Sequence, residues 1–295
     1  MFLFLCLFEN NYYANIITSR VVVTESYFYV YSCIFNDLVG TSSGSAIYVN
    51  LAESQLDFMK SCLNRCRTSA NGGVYFMGQS ITSIMNNFVS GEAYNGCSFY
   101  FSSLKKSEVF CISSILSSST CGDCYITQKN ISMSQSNHSN NYASEHTCHS
   151  LHEPVSSIAS FRYLNYANGN GRRGVAVNFY GTSSTQVYEF CNVVKNSYGT
   201  DWGLLHVQIS GSLQIKKFII YQNDKRRTVH VYQGSPSFTS CVSDDNQAGY
   251  GISYNANPQM NIIPDICERT PVYLGSYSVI RPSQNRFLVL LLLFE

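Results

Sequence analysis

Short apolar runs, separated by turns rich in Gly, Ser and Asn, alternate along most of this chain. Clusters of small residues lead straight into them. Residues 40–49, GTSSGSAIYV, pass from a small-residue turn into Ala46-Ile47-Tyr48-Val49, and ANGGVYF repeats the arrangement from Ala70. Taking the centre of each such run as an anchor gives Ile47, Tyr75, Phe99, Tyr125, Ala176, Leu205, His230 and Ser253. The single long gap, Tyr125 to Ala176, is about two periods, which places a degenerate coil around Asn130 to Pro154. From Ile47 to Ser253 is 206 residues over eight periods, about 26 residues each. A fixed period between 20 and 50 residues indicates a solenoid, propeller or array.

A second set of anchors lies between the first. Apolar-rich segments centre on Cys33, Cys62, Asn87, Asn165, Cys191 and Cys241. The spaced leucines of a leucine-rich repeat are absent, as are long 3.6-residue periodicities, and propeller blades are longer. Short β-prone runs between turns predict strands. The pattern predicts a parallel β-helix, in which each strand pairs with its equivalent one coil later. Small residues such as Gly44, Ser45, Gly72 and Gly73 would make tight corners, some at positive φ. Cys33, Cys62, Cys191 and Cys241 then read as core fillers that stack in a column, not as disulfide partners.

The stretches FYVYSCIFNDLVGTSSGSAIYV and FMKSCLNRCRTSANGGVYF resemble right-handed parallel β-helix proteins of the pectin-lyase-like superfamily. More narrowly, they are similar to polymorphic-membrane-protein-type repeats and to β-helical surface proteins of protists. The resemblance covers roughly residues 20–260. The period sets an all-β solenoid of about eight or nine coils, and the resemblance implies a surface-exposed or secreted scaffold, often serving adhesion. Residues 1–19 would form an apolar N-terminal segment or cap and 261–295 a C-terminal tail or cap.

Composition refines this picture. The formal net charge is +1 and only 13% of residues are charged, which argues against a nucleic-acid partner bound through its phosphates. The 22 Tyr and 18 Phe spread aromatic bulk along the chain. The apolar ends, MFLFLCLF and FLVLLLLF, are much shorter than the roughly 20 residues that span a bilayer, and leave membrane attachment open.

Candidate chemistry is sparse. Asp201, Asp224, Asp244 and Asp245 are the carboxylates to weigh for a polysaccharide lyase or glycosidase, the alternative the superfamily suggests. Their offsets from the anchors differ, and the Gly-His-Gly and Arg-x-Lys patterns of family hydrolases are missing. Cys121 and Cys124, followed by His146, Cys148, His149 and His152, could form a zinc module or a local disulfide, or be unrelated loop residues. His206 and His230 sit one residue apart relative to their anchors, so alternation points them to opposite faces. Lys216, Lys217, Lys225, Arg226 and Arg227 could meet an acidic partner or form a solvated surface. Asn130 and Asn137 head Asn-x-Ser sequons on what would be an exposed loop. The reading reached is a non-enzymatic, extracellular or surface scaffold for a glycan or protein partner, with no cofactor and no metal expected.

Overall fold

The computed structural model describes residues 11–261, except 14–15, 18, 85, 95–97, 111, 116–117, 120–123, 129, 144–149, 154–157, 172–176, 182–184, 199–201 and 225–226. The described chain is all strand and turn, and every strand pairing in it is parallel. The fold is a parallel β-helix with a repeat of about 26 to 27 residues. Strands stack in four ladders, with neighbouring rungs about 4.8 Å apart.

The first ladder climbs from Val21–Val23 through Ile47–Asn50, Val74, Phe99, Cys124–Gln128, Ser150–Glu153, Val177–Gly181 and Leu205–Ile209 to Val229–Gln233. The two-period gap in the sequence is filled by the rung Ser150–Glu153, and Ile131–Ser139 beside it is an ordinary strand. The second ladder includes Tyr27–Tyr31, Gln55–Met59, Thr185–Glu189 and Ser212–Lys216. The third includes Ile34–Asn36, Cys62–Asn64, Asn87–Val89, Asn192–Val194 and Ile219–Tyr221. A fourth ladder of two-residue strands runs from Val39–Gly40 to Ser197–Tyr198 in seven rungs. Seven rungs enclose about six complete four-sided turns, fewer than the eight or nine coils expected. The sequence count included end levels that lack the fourth strand. One anchor also moves: Ser253–Tyr254 pairs with Val242–Ser243 on the third ladder, not with the first.

Alternation sorts side chains between core and surface. On the first ladder Ile47, Val49, Val74, Phe76, Phe99, Phe101, Cys124 and Ile126 are fully buried. Phe28, Phe58, Phe161 and Tyr188 fill the second ladder's inner face, and Phe35, Phe88 and Tyr166 the third's. Rings interlock between ladders: Phe88 lies 6.2 Å from Phe58 and 5.4 Å from Phe99, centroid to centroid.

Two corners use the left-handed conformation without glycine. Ser32, Lys60, Gln135, Tyr163, Phe190, Lys217 and Ser240 lie between the second and third ladders, at φ from 49° to 58°. Asp37, Arg65, Ser90, Asn140, Asn168, Lys195 and Gln222 lie between the third and fourth, at φ from 52° to 56°. Such a conformation costs an L-residue about 1–2 kcal/mol. Inter-rung hydrogen bonds offset it: Lys60 N–H donates to Ile84 O at 2.8 Å and Lys195 N–H to Tyr221 O at 3.0 Å. Glycine takes the tight approach to the first ladder, where Gly44 (φ +69°) and Gly72 (φ +56°) sit as expected, while Ser45 and Gly73 are not in the left-handed region.

Buried asparagines close these corners. Asn196 Oδ1 accepts from Gly169 N at 2.8 Å, and its Nδ2 donates to Tyr166 O at 2.9 Å. Asn223 does the same one rung later, accepting from Asn196 N at 2.8 Å and donating to Val193 O at 2.7 Å. Each amide thereby satisfies two backbone groups that would otherwise be buried unpaired.

Cys33, Cys62, Cys191 and Cys241 are buried free thiols, but they do not form one column. Cys33 and Cys191 occupy the corner next to a left-handed residue, whereas Cys62 is the first residue of a third-ladder strand, opposite Ile34. Above Cys33 stands Ser61, whose Oγ accepts from Cys33 N at 3.1 Å. Burial pushes the Cys66 thiol up to about 12 and the Cys191 thiol higher still, so both stay protonated and inert.

Candidate binding face on the first ladder

One column of register partners on the first ladder runs Val22, Tyr48, Tyr75, Tyr100, Tyr125, Leu151, Asn178, His206, His230. Its nine positions span on the order of 38 Å. Equivalent tyrosines one rung apart stack because the rung spacing approximates ring thickness plus contact. Centroids are separated by 5.2 Å (Tyr48–Tyr75), 5.2 Å (Tyr75–Tyr100) and 4.6 Å (Tyr100–Tyr125), with planes within 16° of parallel. At one end the Arg20 guanidinium covers the face of Tyr48 at 4.6 Å. It is held there by Gly44 O at 2.8 Å and Ser43 O at 2.5 Å. The faces of Tyr48, Tyr75 and Tyr100 are thus occupied by neighbours, and these three turn their edges to solvent. Partial burial, with Tyr48 alongside, raises the Tyr75 hydroxyl pKa above its ordinary value.

The column changes character towards the C-terminal rungs. Asn178 is 8% exposed, and its Oδ1 has no hydrogen-bond partner among the described residues. His206 and His230 are direct register partners on adjacent strands, with ring centroids 5.0 Å apart and planes at 65°. This corrects the expectation that they face opposite sides. The loop between Leu205 and His230 is one residue shorter than the anchors imply, and a one-residue slip reverses which face a side chain takes. Trp202, the chain's one tryptophan, packs edge-on against His206 at 4.8 Å. Tyr232 approaches the same ring at 6.5 Å.

Tyr232 owes its place to a β-bulge. Val207 pairs with Val231 but Gln208 pairs with Gln233, leaving Tyr232 as the extra residue. A bulge re-aims a side chain out of the regular ladder, and Tyr232 is 69% exposed. Gly234 follows at φ +101°, where a Cβ would stand 2.2 Å from Ile209 O. The result is an enclosed His206, half-exposed His230, and two aromatic rings flanked by uncharged Gln208, Ser210 and Gln233. Sequence reasoning passed over Tyr232 and Trp202. A bulge leaves no periodic trace, and the one available signal was a lone tryptophan before Gly203.

The other sequence candidates scatter. Asp244 Oδ2 accepts from Gln222 N at 3.1 Å, and Asp245 accepts from the Thr228 hydroxyl at 2.5 Å and from Gln247 N at 2.9 Å. These carboxylates hold turns. Asp244 stands one residue beyond the pair Ile220–Ser243 and Asp224 four beyond Ile220, so they occupy different register positions. Asp201 lies outside the described residues, as do Cys121, His146, Cys148 and His149. Cys124 is a fully buried core residue, and His152 takes the register position of Ile126 and Phe179. No group of three metal-ligating side chains occurs among the described residues. Asn130 is exposed at a turn, whereas Asn137 lies within a strand, its Oδ1 accepting from Asn165 Nδ2 at 2.7 Å. No described helix is long and apolar enough to cross a membrane.

The basic group is divided between sides. Lys217 lies over the Phe190 ring at 4.5 Å, and Arg227 precedes the last first-ladder rung. Lys225 and Arg226 are outside the described residues. Lys216 joins a register-matched row with Arg162 and Glu189, at 3.5 Å and 2.5 Å from the Glu189 carboxylate. Hydrogen bonding from Arg162 holds the Glu189 pKa below its ordinary value, against a smaller opposing effect of burial. Because the folded pKa is the lower one, this interaction stabilises the fold above the unfolded pKa and is lost as pH falls through the folded value. In Arg162→Met, Glu189 is expected to titrate at higher pH than in the parent, as followed by carboxyl-carbon NMR. An unmoved titration would show that Arg162 is not the cause.

No protein-family model, curated protein or solved structure matches the chain. The geometry defines a class, the parallel β-helix, carrying an outward row of stacked aromatic and polar side chains.

Proposed function

We propose that this chain is a non-enzymatic β-helical scaffold, displayed at a cell surface or secreted, that binds an extended glycan along the outer face of its first ladder. The observation that carries the reading is the cluster of Trp202, His206, His230 and Tyr232, in which a bulge turns one tyrosine ring out to solvent. Sugar rings are recognised by an accessible aromatic face together with uncharged hydrogen-bonding groups around it. Tyr232 offers the face, and His230, Gln208 and Gln233 the groups. Tyr48, Tyr75 and Tyr100, whose faces are occupied, extend the track by their edges and hydroxyls. The resemblance to pectin-lyase-like and surface β-helix proteins agrees with this reading, and adhesion is the role it favours.

Trp202 is a built-in reporter. Titrating the purified chain with neutral and acidic oligosaccharides is expected to give a saturable change in tryptophan fluorescence. In Tyr232→Ala the affinity is expected to drop about tenfold or more, the loss of one well-placed aromatic contact. No saturable response to any oligosaccharide would sink the glycan reading. Polysaccharide cleavage that disappears in Asp201→Asn or Asp244→Asn would replace it with the enzyme reading.

A further inference from the structure

Tyr48, Tyr75, Tyr100 and Tyr125 recur at one register position on four consecutive rungs of the first ladder. Each is half-buried, and both of its strand neighbours lie in the core, so alternation turns all four rings outward. Their centroids follow one another at 5.2, 5.2 and 4.6 Å, close to the ladder's own step of about 4.8 Å. Two hydroxyls are placed by the side chain two residues on. That of Tyr48 accepts from Asn50 Nδ2 at 3.2 Å, and that of Tyr75 donates to Met77 Sδ at 3.0 Å. The row is therefore a comb of phenol edges, one per rung, held by stacking before any ligand arrives, so little rotamer freedom is lost on binding.

Charge is absent from these four strands. Segments 47–50, 74–78, 99–103 and 124–128 hold no Asp, Glu, Lys, Arg or His. Arg20, at the end of the row, is tied to Ser42, Ser43 and Gly44. A ligand lying along the row meets the same group at every step only if it stays straight and its own repeat matches the rung spacing. Among glycans, linkage decides both. A β-1,4-linked pyranose chain leaves each ring through two equatorial bonds, and extends as a straight ribbon whose advance per sugar nearly equals the rung step. An α-1,4-linked glucan leaves through one axial bond and coils away from a straight row. An α-1,4-linked polyuronate advances less per sugar, and carries carboxylates for which the row offers no cation. Successive sugars of the β-1,4 ribbon present opposite edges, and a phenol, which both donates and accepts, meets either.

We propose that the glycan of the first ladder is a neutral, β-1,4-linked chain laid along the solenoid axis, with one sugar on each of the rungs of Tyr48, Tyr75, Tyr100 and Tyr125. This names the class of ligand for the binding face and rests on the glycan reading given above. Contact is by hydroxyl and ring edge, so each rung adds a modest increment and affinity grows with chain length up to four sugars.

The test is calorimetric titration of the full chain with β-1,4-linked dimers, trimers and tetramers of glucose and of N-acetylglucosamine, beside maltotetraose and tetragalacturonate. One or both β-1,4 series are expected to tighten with each added sugar, and their tetramer to bind about tenfold or more above the two α-linked ones. The Tyr75→Phe/Tyr100→Phe variant keeps the stack and removes two hydroxyls. It is expected to weaken the tetramer about tenfold and the dimer less, with the urea midpoint of the parent. Equal or tighter binding of either α-linked tetramer, or tetramer binding unchanged in the double variant, would overturn the proposal. If saccharides in that case still bind and are lost in Tyr232→Ala, the glycan reading stands without this class of ligand. Binding of no saccharide at all refutes the glycan reading and this proposal with it.

Discussion

Tyr188→Ala is expected to lower stability by about 3–5 kcal/mol, read as a fall in the urea midpoint of the solenoid. Tyr188 is fully buried on the second ladder, two rungs before its last strand, Ser237–Thr239. It stacks on Phe161 at 4.2 Å, meets Phe179 edge-on at 4.7 Å and reaches Phe218 at 6.4 Å. Truncation removes contacts with three rungs at once, and the parallel backbones, fixed by their ladders, cannot collapse into the gap. Tyr188→Phe separates packing from polarity. The Tyr188 hydroxyl donates to Gln186 Oε1 over a long 3.4 Å, and its pKa is driven well up by burial, so it remains neutral. That variant is expected to lie within about 1 kcal/mol of the parent. Equal losses in the two variants would place the energy in the hydroxyl and refute the packing argument. Because stability in a solenoid is transmitted rung to rung, the alanine variant is also expected to broaden the transition as the C-terminal rungs uncouple from the rest.

The period was legible because it is written in the inward columns, where Val74, Phe99 and Val177 recur at one register position of the first ladder. The missing coil could be counted for the same reason. What could not be read was register to the single residue. Ser32-Cys33 and Ser61-Cys62 look like the same motif, yet the inward partners are Phe35 and Leu63, so Cys33 stands level with Ser61. The same one-residue error hid the pairing of His206 with His230. Corners were illegible for a different reason. Lys60, Tyr163 and Phe190 adopt a conformation their side chains do not favour, because inter-rung hydrogen bonds and the burial of the next residue impose it. The binding cluster depends on a bulge and a loop, which are tertiary accidents of one coil and carry no period.

Glycine at the small-residue turn gives the second large effect. Gly44 and Gly249 have nearly the same backbone conformation, φ +69° and +70°. Substituting alanine at either position costs the left-handed penalty, about 1–2 kcal/mol. The surroundings differ. A Cβ at Gly44 would stand 2.3 Å from Ile47 O, 2.9 Å from Ile47 C and 3.0 Å from Tyr48 Cα, whereas at Gly249 the nearest atom is Gln247 O at 4.0 Å. The Gly44 obstacles are all backbone of a strand paired on both sides, so they cannot swing aside. Gly44→Ala is therefore expected to cost a further 1–3 kcal/mol or so beyond Gly249→Ala, as overpacking does. It is also expected to loosen Arg20, whose guanidinium is held by the carbonyls of Ser43 and Gly44 over Tyr48. Denaturant midpoints for the two variants, with amide exchange at Ile47–Val49, make the comparison. Equal destabilisation would mean that backbone conformation alone demands glycine here. A selective loss at Gly44 would mean that the small-residue turn exists to let one rung's backbone press against the start of the next strand, which sets the first tyrosine of the row in place.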